Sequence, residues 1–309
     1  MRALNRAGVS AAVIACWLAL GSLAHASDRS FDKTFPATPG GTLTVETDTG
    51  SIRIAGADVH EVRVRATLSG AQSQLDDFET TATTDSRGVI VRGERRGSSW
   101  LDLSWLFGGG LRVRYDIQVP RQYHLDLRTA GGSIELASLQ GDVHGRTSGG
   151  RLRLDDLRGS VIDVRTSGGA IQADRLQGNV VLRTSGGSVT VADVRGELDI
   201  HTSGGSMRLT DIDGRLDART AGGSIDATLS GANRGVNLRT AGGSIRIAVP
   251  RDFKADVDAR TSSGGVHSDL PIDSDRDDDR NSLVGDMNGG GPTLSARTSG
   301  GSIRLSARE

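Results

Sequence analysis

Cysteine and lysine are almost missing from this sequence of 309 residues, and aromatic side chains make up only 3% of it. The one cysteine, Cys16, permits neither an intramolecular disulfide framework nor a cysteine-based zinc site. The only lysines are Lys33 and Lys254, so nearly all positive charge comes from arginine. The formal net charge of −1 argues against a protein that binds nucleic acid by general electrostatic attraction.

Recognisable catalytic motifs are also missing. The sequence has no G-x-S-x-G nucleophile elbow, no P-loop and no G-x-G-x-x-G fingerprint. Its histidines beyond residue 26 are far apart and have no metal-ligand spacing. Carboxylates are spread along the chain, so no local pair marks the acid and the base of a glycosidase. The sequence therefore predicts no enzyme and no cofactor, with a polysaccharide-acting β-helix enzyme as an alternative function.

The first 26 residues have the pattern of an export signal. Two arginines are followed by an almost wholly apolar stretch over residues 7–24, and then by the small-x-small site that ends at Ala26. Cleavage there makes Ser27 the first mature residue and leaves the mature chain without cysteine. An uncleaved membrane anchor and lipoprotein processing at Cys16 are the alternatives. The pattern predicts an exported protein, periplasmic or on the cell surface.

A repeat fills most of the remaining chain. Its common form is R-T-S-G-G-S-I, and successive copies begin 18, 19, 18, 18, 18, 20, 21 and 37 residues apart. The copies begin at Arg128, Arg146, Arg165, Arg183, His201, Arg219, Arg239, Arg260 and Arg297. A degenerate copy begins at Glu46. So regular a period is the mark of a repeat architecture.

Within each unit, apolar and polar residues alternate with a period of two, which is typical of a strand with one buried face. The Gly-Gly pair predicts a tight corner, because glycine adopts positive φ without a Cβ clash. A further glycine in each unit predicts a second corner. These glycines are Gly141, Gly159, Gly178, Gly196 and Gly214.

The sequence predicts an all-β protein, a single-stranded β-solenoid (β-helix) with coils of about 18 residues. The alternative is a series of β-hairpins tiled into an extended antiparallel sheet. The near-constant period and the recurrence of corners in phase favour the solenoid. We divide the chain into a signal peptide (1–26), a degenerate β-strand region with insertions (27–122) that continues into the solenoid, and regular solenoid repeats (123–309). An acidic insertion interrupts the repeats at about 268–293.

Stacked coils place equivalent residues in columns. The position before each repeat threonine is almost always arginine, so we expect a column of outward arginines that is a candidate polyanion-binding surface. Two residues earlier in each unit lies an aspartate column that is interrupted in some coils. The candidate residues are Arg128, Arg146, Arg165, Arg183, Arg219, Arg239, Arg260 and Arg297. One interpretation is a solvated face with ion pairs between coils. The other is a row of guanidinium groups for an anionic polymer. The threonines, at the corner, are predicted to be structural.

Three segments depart from the repeat, and one of them, residues 68–96, is polar and poorly patterned and is a candidate for a short helix around residues 72–78. Residues 98–110 contain Trp100, Trp105 and Phe107, which predict either a cap on the solenoid or an apolar patch for a partner. The acidic insertion is predicted to be a looped-out or disordered segment that replaces about one coil. The chain stops a few residues after the last repeat, which predicts an open terminal coil whose edge is exposed to pairing.

The R-T-S-G-G-S-I units, the lead-in over 115–120 and the opening over 41–54 resemble a bacterial domain-of-unknown-function family. Its members are β-strand-repeat proteins often labelled "putative adhesin", and the resemblance covers roughly residues 40 to 307. It implies a β-solenoid scaffold outside the cytoplasm with a binding or surface role, and it supplies no catalytic residues.

The leading functional hypothesis is an exported, non-enzymatic, adhesin-like binding or scaffolding protein of the bacterial envelope. Its predicted partner is an acidic glycan or another envelope polymer, bound by many weak equivalent sites. A periplasmic structural protein that holds a protein partner at Trp100 and Trp105 is the alternative. No nucleic-acid partner is expected.

Overall fold

The structure is a computed structural model, and it describes residues 27–96, 110–274 and 280–308. The described chain is almost wholly β, with a single short helix, α1 (Gln72–Asp76). The strands are β1 (Ser27–Pro36), β2 (Thr42–Thr47), β3 (Ser51–Ala57), β4 (Glu61–Gly70), β5 (Phe78–Thr84), β6 (Gly88–Arg95), β7 (Arg112–Pro120), β8 (His124–Thr129), β9 (Ile134–Gln140), β10 (Val143–Thr147), β11 (Leu152–Thr166), β12 (Ile171–Arg183), β13 (Val189–His201), β14 (Met207–Arg219), β15 (Ile225–Leu229), β16 (Val236–Arg239), β17 (Ile245–Val249), β18 (Ala255–Thr261), β19 (Val266–Ser268), β20 (Ser282–Met287), β21 (Thr293–Thr298) and β22 (Ile303–Ala307).

One repeat unit forms one coil. In β12, Ile171, Ala173 and Leu176 are buried on one side of the glycine, and Val180 and Leu182 are buried on the other. The polar residues between them face outward, as an alternating strand requires. The aliphatic side chains of all coils form one continuous core. A single coil has too few apolar residues to bury its own inner face, so stability depends on stacking.

Neighbouring central coils are parallel and in register. β12 pairs with β13 from Ile171–Val189 to Arg183–His201, and β13 pairs with β14 from Val189–Met207 onward. The predicted solenoid is confirmed. The hairpin alternative is wrong, because consecutive units run parallel and a hairpin requires antiparallel neighbours.

The ladders form two main sheets around the core. The front sheet contains the segments that end at the repeat threonine, in the spatial order β5, β6, β2, β8, β10, β11, β12, β13, β14, β16, β21, β18, β20. The back sheet contains the segments that follow the Gly-Gly corner, in the order β1, β4, β7, β3, β9, β11, β12, β13, β14, β15, β17, β22, β19. The long strands β11 to β14 bend and contribute to both sheets.

The second glycine of each Gly-Gly pair is required by close packing between coils. A Cβ on Gly187 would lie 2.0 Å from the carbonyl oxygen of Gly169, and a Cβ on Gly205 would lie 2.0 Å from that of Gly187. Neither glycine is among the residues with positive φ. The expectation that this pair supplies positive φ is therefore wrong, because the constraint comes from the adjacent coil and not from the local backbone.

The second predicted corner does use positive φ. Of the five predicted glycines, Gly141, Gly178, Gly196 and Gly214 have φ between 125° and 157°, and Gly159 is not among the residues with positive φ. A third corner, which sequence analysis missed, lies three residues earlier in each unit. There Ser138, Asp156, Arg175, Asp193 and Asp211 have φ of 48° to 58°. Three of these five residues are aspartate, a residue type enriched in the left-handed conformation.

The C-terminal coil is inserted into the stack. β21 lies between β16 and β18, and β22 lies between β17 and β19. The last repeat is therefore not the end of the solenoid, and the predicted open terminal coil is wrong. Within the insertion, β20 pairs antiparallel with β18, so residues 282–287 form a strand where sequence analysis expects a loop.

The N-terminal region has the same kind of displaced order. The coil of β2 and β3, which comes early in the chain, lies between the later strands β6 and β7 and the first regular coil of β8 and β9. Antiparallel strands cover this end: β5 on β6 in the front sheet, and β4 and then β1 on β7 in the back sheet. Leu75 of α1 and Phe78 of β5 are buried there.

The predicted signal peptide lies outside the described residues. Within the described ranges, no helix has the length and apolar character that crossing a membrane requires.

Candidate functional site

The front sheet places the repeat arginines in one outward column. The in-register partners run Arg128, Arg146, Arg165, Arg183, His201, Arg219, Arg239, Arg297, Arg260. We call this line the arginine column. The order differs from the chain order at one point, because the inserted C-terminal coil brings Arg297 between Arg239 and Arg260.

Two further residues extend the column at its N-terminal end. Glu46 of β2 pairs in register with Arg128, and Arg92 of β6 pairs with Glu46. The degenerate repeat that begins at Glu46 predicts the position of Glu46 in the column. Arg92 was missed, because β6 has no Gly-Gly corner by which the repeat could be aligned.

Carboxylates in the same sheet pair with most of these arginines. The Arg219 Nη2–Asp217 Oδ2 distance is 2.7 Å, and Arg128 Nη1 is 3.1 Å from Glu46 Oε1. Asp258 accepts from Arg260 Nε at 2.6 Å and from Arg297 Nη2 at 2.7 Å, so it joins the outer coil to the inserted one. The arginine side chains are about half exposed, and such pairs contribute about 0–1 kcal/mol each.

The geometry of two pairs is reflected in their pKa values. Arg165 donates two hydrogen bonds to Asp163, at 2.8 and 2.7 Å, and this bonding raises the pKa of the guanidinium. Burial by itself would raise the pKa of Asp258, but the hydrogen bonds and charges of Arg297 and Arg260 outweigh it and lower that pKa. Asp258 therefore stays ionised at neutral pH and neutralises part of the column.

Arg146 and Arg239 are the exceptions. Two residues before Arg146 stands His144, and two residues before Arg239 stands Asn237, which accepts from its Nε at 3.2 Å. Within the described ranges, neither arginine has a carboxylate within ion-pair distance. Arg146 also lines a shallow groove together with Arg128, Arg165 and the corner serines Ser148 and Ser167. The guanidinium groups of Arg146 and Arg239 therefore have the most hydrogen-bonding capacity for an external anion.

The threonine next to each arginine holds the coils together. Thr202 is fully buried, its hydroxyl donates to the carbonyl of Gly187 in the preceding coil at 3.0 Å, and it accepts from the amide of Gly205 at 3.4 Å. The same pair of bonds recurs at Thr129, Thr147, Thr166, Thr184, Thr220, Thr240, Thr261 and Thr298. The threonine hydroxyls therefore bond each coil to its neighbour, which is the structural role that the sequence predicts.

Two other candidate features are the aromatic segment around Trp100 and a possible metal site. Trp100, Trp105 and Phe107 lie outside the described residues, so their role as a partner patch stays a prediction. In the described part of the chain, no group of three or more histidine, cysteine or acidic residues is arranged to hold a metal ion.

A family model described as Toastrack DUF4097 matches residues 41–306. No curated protein matches the chain. Solved structures that it resembles include a "putative adhesin" from Parabacteroides distasonis, at 10% identity and a TM-score of 0.39, with 91% of this chain and 97% of that chain covered. A "putative cell adhesion protein" from Clostridium sporogenes has 10% identity, a TM-score of 0.23 and coverage of 91% and 100%. A "putative lipid binding protein" from Parabacteroides distasonis has 9% identity, a TM-score of 0.29 and coverage of 91% and 97%. Similarity at this level does not identify a shared ligand.

Proposed function

This chain belongs to the Toastrack DUF4097 family, and on that scaffold we propose an exported, non-enzymatic protein that binds an acidic polymer at the bacterial envelope. The binding surface is the arginine column of the front sheet. The ligand class is an acidic glycan or another envelope polymer that carries regularly spaced anionic groups.

The observation that carries the proposal is the excess of arginine along one line. With Arg92 included, the column holds nine arginines, and six carboxylates lie in it or two residues before it in the same strands. Parallel strands repeat at about 4.8 Å, so the guanidinium groups recur at a fixed short interval. A polymer with repeated charges can contact several of them at once, and the weak contacts then add.

The residue type supports an oxyanion ligand. A guanidinium presents its donors in a planar fork that matches a carboxylate or a sulfate, whereas a lysine is a point charge. The ion pairs in the column hold several of these forks in place, which lowers the entropy lost on binding. They also compete with the ligand, so affinity is expected to depend most on the arginines with the weakest carboxylate contacts. Arg146 and Arg239 have no ion pair among the described residues, and Arg183 has one long contact, 3.7 Å from Nη2 to Asp199 Oδ2.

An envelope location is supported by the predicted signal peptide. Strand β1 begins at Ser27, the residue that cleavage after Ala26 would leave first, and it pairs with β4 along its whole length. Cleavage at that position would release a chain whose first residue is already part of the back sheet.

The test is a triple substitution with a control matched in charge. We expect Arg146→Gln/Arg183→Gln/Arg239→Gln to weaken binding to an acidic polysaccharide such as polygalacturonate by roughly tenfold or more, because three charge-assisted contacts are lost. The slope of affinity against salt should flatten as well. The control, Arg158→Gln/Arg195→Gln/Arg208→Gln, removes the same charge outside the front sheet.

Binding is measured by isothermal titration calorimetry at several salt concentrations. Equal losses in the two variants would mean that only net charge matters. Unchanged affinity in the column variant would exclude the arginine column as the binding surface.

A further inference from the structure

A cavity of about 600 Å³ lies on the back sheet, at the N-terminal end of the solenoid. It is formed where β4, β7 and β3 lie side by side next to the corner at Gly131 and Gly132. Polar side chains dominate its lining: Thr49, Ser51, Thr67, Ser69, Arg112 and Arg114. Its size is in the range of small-molecule sites.

Strand alternation explains why these side chains meet. On β7, Val113 and Tyr115 point into the core and are buried, so Arg112 and Arg114 point outward. Both arginines belong to the class of exposed residues. The cavity therefore has two guanidinium groups two residues apart on the same face of one strand.

The neighbouring strands place hydroxyl groups beside each arginine. Arg112 is the register partner of Ser69 on β4, and Arg114 is the partner of Thr67 on β4 and of Ser51 on β3. Register partners on one face of a sheet have Cβ atoms about 5 Å apart. Arg114 is thus flanked by hydroxyl groups from both sides, and donors converge on the cavity from three strands.

The carboxylates near the cavity have partners other than Arg112 and Arg114. Asp116, which lines it, lies 3.8 Å from Arg53 Nη1, and Asp28 accepts a hydrogen bond of 2.6 Å from Ser69 Oγ. Within residues 27–96, 110–274 and 280–308, Arg112 and Arg114 make no ion pair. This is the reverse of the arginine column, where most guanidinium groups have a carboxylate partner.

Two arginines without carboxylate partners, in a concave site with the hydroxyl groups of Ser51 and Thr67 beside Arg114, are suited to an external anion. We propose that this cavity binds a tetrahedral oxyanion, the phosphate or sulfate group of a small ester. Donors that converge from β3, β4 and β7 match the four oxygens of such a group better than the two coplanar oxygens of a carboxylate. The rest of the cavity accommodates the organic part of the ester.

This site is independent of the proposed function. It lies on the back sheet, whereas the arginine column lies on the front sheet, and the two share no residue. A variant that abolishes one is expected to leave the other unchanged, so the two proposals can fail separately.

The experiment titrates the full mature chain with inorganic phosphate, inorganic sulfate, glycerol 3-phosphate and acetate, with binding followed by calorimetry. We expect phosphate or sulfate to bind and acetate to bind at least tenfold more weakly. A monoester that binds more tightly than inorganic phosphate assigns the site to esters, and the reverse order assigns it to the free ion. Acetate binding as tight as phosphate binding would overturn the tetrahedral assignment.

Variants locate the site. Arg112→Gln/Arg114→Gln should lower the affinity for phosphate at least tenfold. Arg63→Gln/Arg65→Gln is the control on the neighbouring strand, because these arginines are paired with Glu61 at 3.4 Å and Asp32 at 3.0 Å. It should retain affinity within twofold. Ser51→Ala/Thr67→Ala keeps both charges and should lose affinity several-fold. An Arg112/Arg114 variant that binds like the wild type, or a wild type that does not bind phosphate at millimolar concentration, would overturn the proposal.

Discussion

The central coils and the two ends of the solenoid follow different rules. From β10 to β14, coils that are consecutive in the chain are also neighbours in space, joined by short Gly-Gly corners. At the C-terminal end, the coil of β21 and β22 is the last in the chain but lies inside the coil of β18 and β19. At the N-terminal end, the coil of β2 and β3 lies inside the later strands β6 and β7.

The repeat fixes the register of a coil but not its place in the stack. Each coil offers the same two hydrogen-bonding edges, so a coil fits equally well at several levels. The length of the connection decides which level it reaches. Between β19 and β21 the chain has room to form β20 on the outer edge and then return one level inward. The short corners of the central coils permit only the next level.

Both ends also differ from the central coils in having antiparallel strands that limit the addition of further coils. β5 and β4 at one end and β20 at the other run antiparallel to the coil strands that they cover, whereas β1, which pairs antiparallel with β4, has the direction of the coils. In the front sheet, β5 and β20 therefore do not present the parallel edge to which another repeat would add. Natural β proteins protect exposed edges by comparable means, because an open edge is a template for aggregation.

The largest predicted effect comes from a disulfide that tests the inserted order. Asn237 and Ser295 are register partners on adjacent strands, so Asn237→Cys/Ser295→Cys is expected to form a disulfide that stabilises the protein by about 4 kcal/mol. Urea unfolding of the oxidised and reduced forms measures it. Asn237→Cys/Asp258→Cys is the control, because these residues lie two levels apart, roughly 10 Å, which is too far for a disulfide. If only the Asn237→Cys/Asp258→Cys variant formed a disulfide, β18 would lie directly beside β16 and the coils would be stacked in chain order.

The next prediction compares one glycine in a central coil with one in the outer coil. Gly187→Ala should destabilise the protein by about 3 kcal/mol, because the added methyl would lie 2.0 Å from a carbonyl and coils on both sides prevent adjustment. Gly264→Ala meets Gly301 at 2.2 Å, but the outer coil can shift, so we expect about 1 kcal/mol.

Gly186→Ala is the control for both glycine variants, since its nearest carbonyl oxygen is 3.9 Å from the added Cβ. Thermal unfolding should show a change of at most about 1 kcal/mol for this variant. If Gly186→Ala and Gly187→Ala were equally destabilising, the close approach between coils would not be the reason for the second glycine.

The smallest effect concerns the pH dependence of the C-terminal end. The pKa of Asp258 is lowered in the folded state, so its ion pairs contribute stability above the ordinary aspartate pKa, and this is lost as pH falls through the lower folded value. Asp258→Asn should cost about 1 kcal/mol at neutral pH and should flatten acid unfolding.

Asp199→Asn serves as the matched change in a central coil. Its carboxylate is 45% exposed and lies 3.7 Å from Arg183, so the expected cost is below about 0.5 kcal/mol. A larger loss at Asp199 than at Asp258 would contradict the assignment of Asp258 as the link between the inserted and outer coils.

Much of the arginine column could be predicted from the sequence, because aligning the repeats shows which residues occupy equivalent positions in successive coils. The outward arginines, the buried threonines and the inward aliphatic residues all occupy fixed positions in the unit, and the register keeps each set in line. Arg112 and Arg114 could not be found in this way. Their cavity depends on β4, an antiparallel strand outside the repeat, which places Thr67 and Ser69 beside them.

The sequence by itself determined the all-β character, the coil length, the inward and outward faces and the composition of the columns, because all of these follow from a period of two within a period of about 18. Only the tertiary structure decided the order of the coils at both ends, the antiparallel caps and the close contact that requires the second glycine. The physical reason is that a periodic sequence is satisfied by any stacking order in register. The choice among those orders depends on connections and on contacts between coils that are distant in the chain.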